Sequence, residues 1–259
     1  MRITKPLNQW RLLSLPFLIF LALPLAALLV RASPERILAN LGRAEVDQAI
    51  WLSLSTSTFA TGVTILFGTP LAYLMARRQF PLKRAVDTLI DLPTVLPPAV
   101  AGVALLLAFG RRGIIGGWLE AWGLQIAFTQ TAVVLAQTFI AAPLYLKSAT
   151  VGFAGVEREL EQAAALDGAG AWRIFQHVTV PLSWTALLSG AILTWARALG
   201  EFGATIIFAG NFPGRTQTMP LAIYIGFELD LDVALTLSVI LIGLSFLTLV
   251  VVKGFLQRE

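Results

Sequence analysis

Two pairs of charged residues are the places in this chain where chemistry or transport could reside. Arg197 and Glu201 lie one helical turn apart in the phrase ARALGEFGA, inside an otherwise apolar stretch. Charged side chains within an apolar span are costly, and they usually pair or face a water-filled path. The sequence leaves two interpretations open: an ion pair that only supports helix packing, or an element of a translocation path or gate.

The second pair, Asp87 and Asp91, also lies one turn apart, at the start of another apolar stretch. An intramembrane aspartyl protease would need two carboxylates on different helices, deep in the bilayer. These two residues share one helix and lie at its edge, so the pattern favours a polar helix end over a catalytic dyad.

Composition excludes several other functions. The chain has 259 residues, no cysteine and one histidine, His177, so it has no thiolate nucleophile, Cys-ligated metal or His pair. It also lacks a G-x-x-x-x-G-K-[ST] loop for ATP phosphates. With 57% hydrophobic and only 13% charged residues, it is predicted to be a membrane protein. The lack of catalytic pairs disfavours an intramembrane enzyme. In a membrane protein the net charge of +4 is mainly an orientation signal, and nucleic-acid binding is not expected.

Six intervals are long and apolar enough to cross a bilayer, which takes about 20 residues per helix. They are residues 12–30, 47–76, 86–109, 128–150, 182–208 and 233–252. The first competes with a signal peptide, but its apolar run exceeds the usual length of about 7–15 residues, which favours a retained span. The third contains Pro93, Pro97 and Pro98, which predict a kinked or discontinuous helix and are candidates for gate flexibility.

The positive-inside rule predicts that both termini are cytoplasmic. With that orientation most basic residues fall on the cytoplasmic side, namely Arg2, Lys5, Arg11, Arg77, Arg78, Lys83, Arg84, Arg158, Arg173, Lys253 and Arg258. The external loops hold fewer, namely Arg31, Arg36, Arg43, Arg111, Arg112 and Arg215.

The longest polar interval, residues 157–181, reads ERELEQAAALDGAGAWRIFQHVTVP. Acidic residues at its start and the alanine run after them predict one short helix. Gly168 and Gly170 interrupt it, a second short helix follows, and Pro181 is expected to close the unit. Two polar helices between membrane spans indicate a docking site for a soluble partner. A separate apolar run, residues 221–227, is too short to span and predicts a re-entrant or interfacial helix.

The polar interval resembles the EAA motif of ABC importer membrane subunits, which reads E-A-A, three residues, G, nine residues, I-x-L-P. Here Gln162-Ala163-Ala164 is followed by Gly168 and by Val178-Thr179-Val180-Pro181 at the same spacing. Gln162 replaces the glutamate, although Glu161 lies directly before it. In that family the motif forms a cytoplasmic coupling helix that docks into a separate ATPase. The resemblance therefore implies an ATPase-coupling role for a set of residues: Glu161, Gln162, Ala163, Ala164, Gly168, Trp172, Phe175 and Pro181.

Residues 198–228, together with the phrases LPTVLPP and GRRG, resemble the molybdate-type permease subunits, with sulfate-type permeases as close relatives. The resemblance implies an all-α protein of six transmembrane helices with the type I ABC importer permease fold, in the bacterial inner membrane. It also implies a permease core at residues 47–252, a first helix and periplasmic loop at 1–46, and a cytoplasmic tail at 253–259. Pro93, Pro97, Pro98, Arg197 and Glu201 are the candidate path or gate residues.

The implied function is ATP-driven molybdate import. The expected partners are a second copy of the chain, two ABC ATPase subunits, a periplasmic or lipid-anchored oxyanion-binding protein, and membrane lipid. ATP and magnesium are expected on the ATPase, and no cofactor is expected on this chain. The alternatives are a sulfate or tungstate ABC permease and, from another class, a stand-alone secondary transporter or channel.

Overall fold

Helices make up nearly all of the regular structure in the part of the chain that can be described. A computed structural model of the protein describes residues 7–256, with side chains from Leu13 to Gly254. Residues 1–6 and 257–259, including Arg2, Lys5 and Arg258 of the orientation argument, lie outside the described residues, as does the side chain of Arg11. The helices are α1 (Leu7–Arg31), α2 (Pro34–Asn40), α3 (Ala44–Arg77), α4 (Lys83–Val95), α5 (Pro98–Phe109), α6 (Gly116–Ala121), α7 (Gln130–Gly155), α8 (Arg158–Leu166), α9 (Ala171–Ile174), α10 (Val180–Leu182), α11 (Trp184–Leu199), α12 (Gly203–Phe208), α13 (Met219–Leu229) and α14 (Leu231–Leu256).

Among the described residues, four helices are long and apolar enough to cross a membrane: α1, α3, α7 and α14. Two further pairs, α4 with α5 and the segment Ala171–Leu182 with α11, qualify only if each bent pair counts as one span, which gives up to six. Five of these spans correspond to predicted apolar intervals, whereas the bent pair that starts at Ala171 differs from the fifth interval, 182–208, which covers α11 and α12. A helical membrane fold follows because backbone groups in the bilayer have no water to bond and must pair within the helix.

The predicted discontinuity of the third interval is confirmed, but Pro93 does not cause it. Helices α4 and α5 meet at 118° across Leu96 and Pro97. Leu96 has an extended backbone, which is the conformation that a residue before proline prefers. Pro98 lies in the first turn of α5, where a backbone N–H would have no partner within the helix, so the lack of one in proline costs nothing. Pro93 is buried inside α4, whose helix continues to Val95, so assigning a break to Pro93 was wrong.

The fifth predicted interval is also broken, at a place that the sequence analysis did not predict. Helix α11 ends at Leu199 and α12 begins at Gly203. The two breaks meet, because a Cβ on Gly203 would lie only 2.6 Å from the Cβ of Pro98. One turn later, a Cβ on Gly102 would lie 2.8 Å from the carbonyl oxygen of Ala204. Helices α5 and α12 therefore pack at the close distance that small residues allow in membranes.

Helix α7 is the centre of the bundle, and it packs against α3, α11, α12 and α4. Many hydroxyl side chains in α3 donate to carbonyls of their own helix, as Thr56 does to Leu52, Thr61 to Ser57 and Thr64 to Ala60. These bonds satisfy polar groups that the protein interior buries.

Helix α13 contains the apolar run that was predicted to form a short helix. It packs on α14 and α3, and its Met219 amide donates to Ser53 Oγ.

The N-terminal segment is tied to the start of α14 by polar contacts. Arg36 pairs with Asp232, Arg43 pairs with Asp230, and Asn40 Nδ2 donates to Thr236 Oγ1. The hydrogen bond from Arg43 holds the pKa of Asp230 below its usual value. The boundary predicted between residues 46 and 47 falls inside α3 (Ala44–Arg77).

The contact between α5 and α12 gives a stability prediction. Gly102→Ala should lower the free energy of unfolding of the purified protein by about 1–3 kcal/mol, because the new methyl group meets backbone that cannot move aside. Gly243→Ala in α14 is the matched control, since no atom lies within 4 Å of the added Cβ. Equal unfolding temperatures for the two variants would contradict the close packing.

Candidate functional site

The first candidate site is the coupling unit, which we define as residues 157–182. Helix α8 ends at Leu166, and after its C-cap residue Asp167 comes Gly168, whose φ of +88° lies in the left-handed region that favours glycine. The Ala169 amide donates to Ala164 O and the Gly168 amide donates to Ala165 O, which satisfies the last carbonyls of α8 in a Schellman motif. Helix α9 then begins at Ala171. The predicted arrangement of two short helices with a turn at Gly168 is therefore present.

Glu161 fastens the coupling unit to the rest of the protein. Its Oε1 accepts hydrogen bonds from Arg77 Nη2 at 2.9 Å and from Thr179 Oγ1 at 2.6 Å. Arg77, at the end of α3, also donates to the Val156 carbonyl at 3.0 Å. The side chains of Arg77 and Glu161 are only 9% and 16% exposed. One largely buried carboxylate thus joins α8, α3 and the segment after α9, and such charge-assisted bonds are the strong ones.

The other residues at the start of the motif are less buried. Gln162, which stands where the motif has glutamate, is exposed, as is Ala163, whereas Ala164 is half-buried. The acidic side chain that makes structural contacts is therefore Glu161, one position earlier. The sequence analysis did not identify its partners Arg77 and Thr179.

Trp172 and Phe175 point to different surroundings. The Phe175 ring lies against Tyr73 at 5.1 Å and Phe153 at 6.0 Å between centroids, so it packs into the membrane domain. Trp172 is 66% exposed and stacks on the outer side of Phe175 at 5.6 Å. Leu160 and Leu166 are exposed as well, at 45% and 89%. Sequence reasoning missed these two leucines, although an apolar side chain beside a glycine turn in a polar segment was an available signal.

Pro181 does not close the coupling unit, contrary to the prediction. The helical path runs through a π-helical turn at Phe175–Thr179 and continues to Leu182, and the bend of 73° follows at Ser183. The wider turn before Pro181 relieves the clash that a proline ring otherwise makes with the preceding α-helical turn. Ser183 Oγ donates to Thr179 O across the bend.

The second candidate site is the break between α11 and α12. Arg197 Nη1 contacts Glu201 Oε2 at 2.8 Å, and Glu201 Oε1 accepts the Ala204 amide at 2.9 Å. Glu201 is 1% exposed, whereas the Arg197 side chain is 39% exposed. The carboxylate therefore holds the guanidinium and also satisfies a free backbone donor at the start of α12. Pro98 packs against Gly203, so the structure brings the Pro97–Pro98 break next to this pair, while Pro93 lies away in α4.

A third charged cluster joins α4 to α7. Lys147 Nζ lies 2.6 Å from Asp87 Oδ1 and 2.9 Å from Asp91 Oδ2. The two aspartates, read from sequence as a polar helix end, thus share one cation on the neighbouring helix. Sequence analysis did not pair the two aspartates with Lys147, although Lys147 is the one charged residue of the fourth predicted span.

Across residues 7–256, no group of three or more His, Cys, Asp or Glu side chains is placed to hold a metal ion.

Known proteins resemble this chain in sequence. Residues 68–258 match the family described as "Binding-protein-dependent transport system inner membrane component". The molybdenum transport system permease protein ModB of Mycobacterium tuberculosis is 42% identical over 230 residues, which cover 89% of this chain and 87% of that protein. The ModB of Escherichia coli K12 is 44% identical over 178 residues, 68% of this chain and 78% of its own. The sulfate transport system permease protein CysW of Escherichia coli K12 is 35% identical over 227 residues, 85% and 78% of the two chains.

Solved structures share the fold at low sequence identity. A chain of the bacterial alginate ABC transporter, crystallised with a periplasmic protein bound to an alginate pentasaccharide, superposes with a TM-score of 0.71 at 20% identity. That match covers 98% of this chain and 96% of the other. The inward-facing MetNI methionine ABC transporter gives 0.61 at 19% identity, covering 82% and 95%. The predicted all-α permease fold is confirmed. This chain therefore belongs to the binding-protein-dependent transport system inner membrane component family, as a multi-pass inner-membrane permease of an ABC transporter and not its ATPase.

Proposed function

We propose that this chain is the membrane-spanning subunit of an ATP-driven importer of molybdate. The observation that carries the proposal is the coupling unit, which presents exposed apolar side chains outward and is fastened inward by Glu161 and Phe175. The chain has no phosphate loop of its own, so the proposal assigns ATP binding and hydrolysis to a partner chain. Molybdate is favoured as substrate because the molybdenum permeases are 42% and 44% identical to this chain, against 35% for the sulfate permease.

The working assembly that we propose contains two copies of this chain, two ABC ATPase subunits and an external oxyanion-binding protein. Two-fold symmetry is the commonest way for a chain to assemble with itself, and it places a path between the copies. Leu160, Leu166 and Trp172 would contact the ATPase, which binds the ATP and magnesium. The coupling unit and both termini would lie in the cytoplasm, and residues 47–252 would form the permease core.

Movement of the ATPases would reach the membrane helices through two contacts. The Glu161–Arg77 pair links α8 to the end of α3, and Phe175 packs on Tyr73 of α3 and Phe153 of α7. Because α7 is the centre of the bundle, a shift of the coupling unit would be passed on to α11 and α12. Closure of the ATPases on ATP would thus open the path outward, and release of phosphate would reverse it.

The path or gate that we propose runs by the break between α11 and α12. Glu201 uses both carboxylate oxygens in holding Arg197 Nη1 and the Ala204 amide, so the half-exposed guanidinium is fixed in place. A fixed cation lowers the cost of bringing an oxyanion into a region of low dielectric constant. Pro97 and Pro98 interrupt the neighbouring span, which provides a hinge beside that cation.

Reconstituted uptake tests the proposed function. Vesicles that contain this chain, its ATPase and its binding protein should accumulate molybdate, and also tungstate, only after ATP is added. Sulfate in excess should compete weakly. A control without ATP but with an imposed proton gradient should show no uptake. Uptake under that control would make the chain a secondary transporter, and preferential uptake of sulfate would make it a sulfate permease.

Trp172 and Phe175 should differ in what their loss affects. Phe175→Ala should destabilise the purified chain by about 2–3 kcal/mol, since it removes a ring packed on Tyr73 and Phe153. Trp172→Ala should change that stability by less than about 1.5 kcal/mol, the most that an aromatic pair adds. It should instead weaken co-purification of the ATPase by roughly thirtyfold or more, as for an exposed aromatic anchor.

Thermal unfolding and quantitative co-purification measure the two effects. Normal ATPase binding by a stably inserted Trp172→Ala variant would contradict the docking role of the exposed face. A stable Phe175→Ala variant would contradict its packing role.

A further inference from the structure

A cleft between the end of α3 and one face of α8 contains two arginines, Arg78 and Arg158, that the proposed function does not use. Its volume is about 270 Å³. Tyr73, Arg77 and Arg78 line it from the α3 side. The α8 side contributes Arg158, Glu161, Gln162 and Ala165, whose spacing places them on a single helix face.

The charges in this cleft are unbalanced. Three guanidinium groups face one carboxylate, and Glu161 already bonds to Arg77. Arg78 and Arg158 are exposed and form no ion pair within the described part of the chain. The Arg77 side chain is only 9% exposed, and its Nε is buried without a hydrogen-bond partner. A buried donor on a cation is costly to leave unpaired, so the cleft favours an anionic group with several acceptor oxygens.

The position of the cleft at one end of a spanning helix indicates the source of that anion. Helix α3 has 34 residues, which corresponds to a length of about 51 Å at 1.5 Å per residue. The hydrocarbon core is only about 30 Å thick, so α3 is long enough for its polar end to lie outside that core, beside the lipid headgroups. Basic residues clustered at the end of a transmembrane helix are suited to phospholipid phosphates.

We infer that the cleft lined by Arg77, Arg78 and Arg158 binds the phosphate of an anionic phospholipid, phosphatidylglycerol or cardiolipin. Arg78 and Arg158 supply the exposed donors of the site, and Arg77 supplies the buried one. Because the cleft has one wall on α3 and the other on α8, the bound lipid braces the coupling unit against the membrane domain. This inference goes beyond the proposed transport function, and membrane insertion alone is enough for its test.

Native mass spectrometry of the full-length chain, titrated with cardiolipin or phosphatidylglycerol, tests the site. The wild-type protein should retain anionic lipid in preference to phosphatidylcholine. Arg78→Gln with Arg158→Gln should weaken retention by roughly thirtyfold, as expected for two basic residues at a charged lipid surface. The matched control is Arg112→Gln with Arg215→Gln, which removes two exposed arginines from other loops and should leave retention unchanged.

Three results would overturn the inference. Equal loss of lipid in the control pair would mean non-specific attraction. If inorganic phosphate displaced the lipid and raised the thermal stability of the protein as much as the lipid does, the cleft would be a site for a free anion. Unchanged lipid retention by the Arg78→Gln, Arg158→Gln variant, together with weaker ATPase binding, would assign the cleft to the protein partner.

Discussion

The link between the coupling unit and helix α3 depends on the Glu161 carboxylate, which is held between Arg77 and Thr179. A largely buried carboxylate is stable only when it is paired and hydrogen-bonded, and removing one partner of such a pair typically costs about 3–5 kcal/mol. The aromatic contact of Phe175 with Tyr73 and Phe153 adds an apolar attachment beside it. Together they make the coupling unit a rigid extension of the membrane helices and not a loose loop.

In the mechanism that we propose, the broken spans provide the complementary property, which is freedom to move at defined points. Proline at Pro97 and Pro98 removes backbone donors, and the break before Gly203 exposes others. Inside a membrane these groups need partners from the protein, and Glu201 supplies one for the Ala204 amide. Small residues at Gly102 and Gly203 let the two half-helices pack closely, so the breaks remain covered by protein.

Much of the architecture was predictable because it depends on local sequence. Apolar length predicted the spans, and the alanine run interrupted by Gly168 and Gly170 predicted two short helices with a turn between them. The contacts that fasten these elements were not predictable, since Arg77 and Glu161 are 84 positions apart and meet only through tertiary packing. The pairing of Lys147 with Asp87 and Asp91 was missed for the same reason. Local rules also failed at Pro93 and Pro181, where the surrounding helix tolerates a proline that in isolation would end it.

The ratio of molybdate imported to ATP hydrolysed, measured in vesicles with the complete transporter, tests most directly whether Glu161 transmits the motion of the ATPase. Glu161→Ala removes the fastening to Arg77 and Thr179, whereas the nearby Glu159→Ala removes an exposed carboxylate from the same helix. We expect Glu161→Ala to keep ATP hydrolysis while the import ratio falls at least about tenfold, the equivalent of 1.4 kcal/mol of lost coupling. Glu159→Ala should keep the wild-type ratio. An unchanged ratio in an assembled Glu161→Ala transporter would contradict the role assigned to this carboxylate.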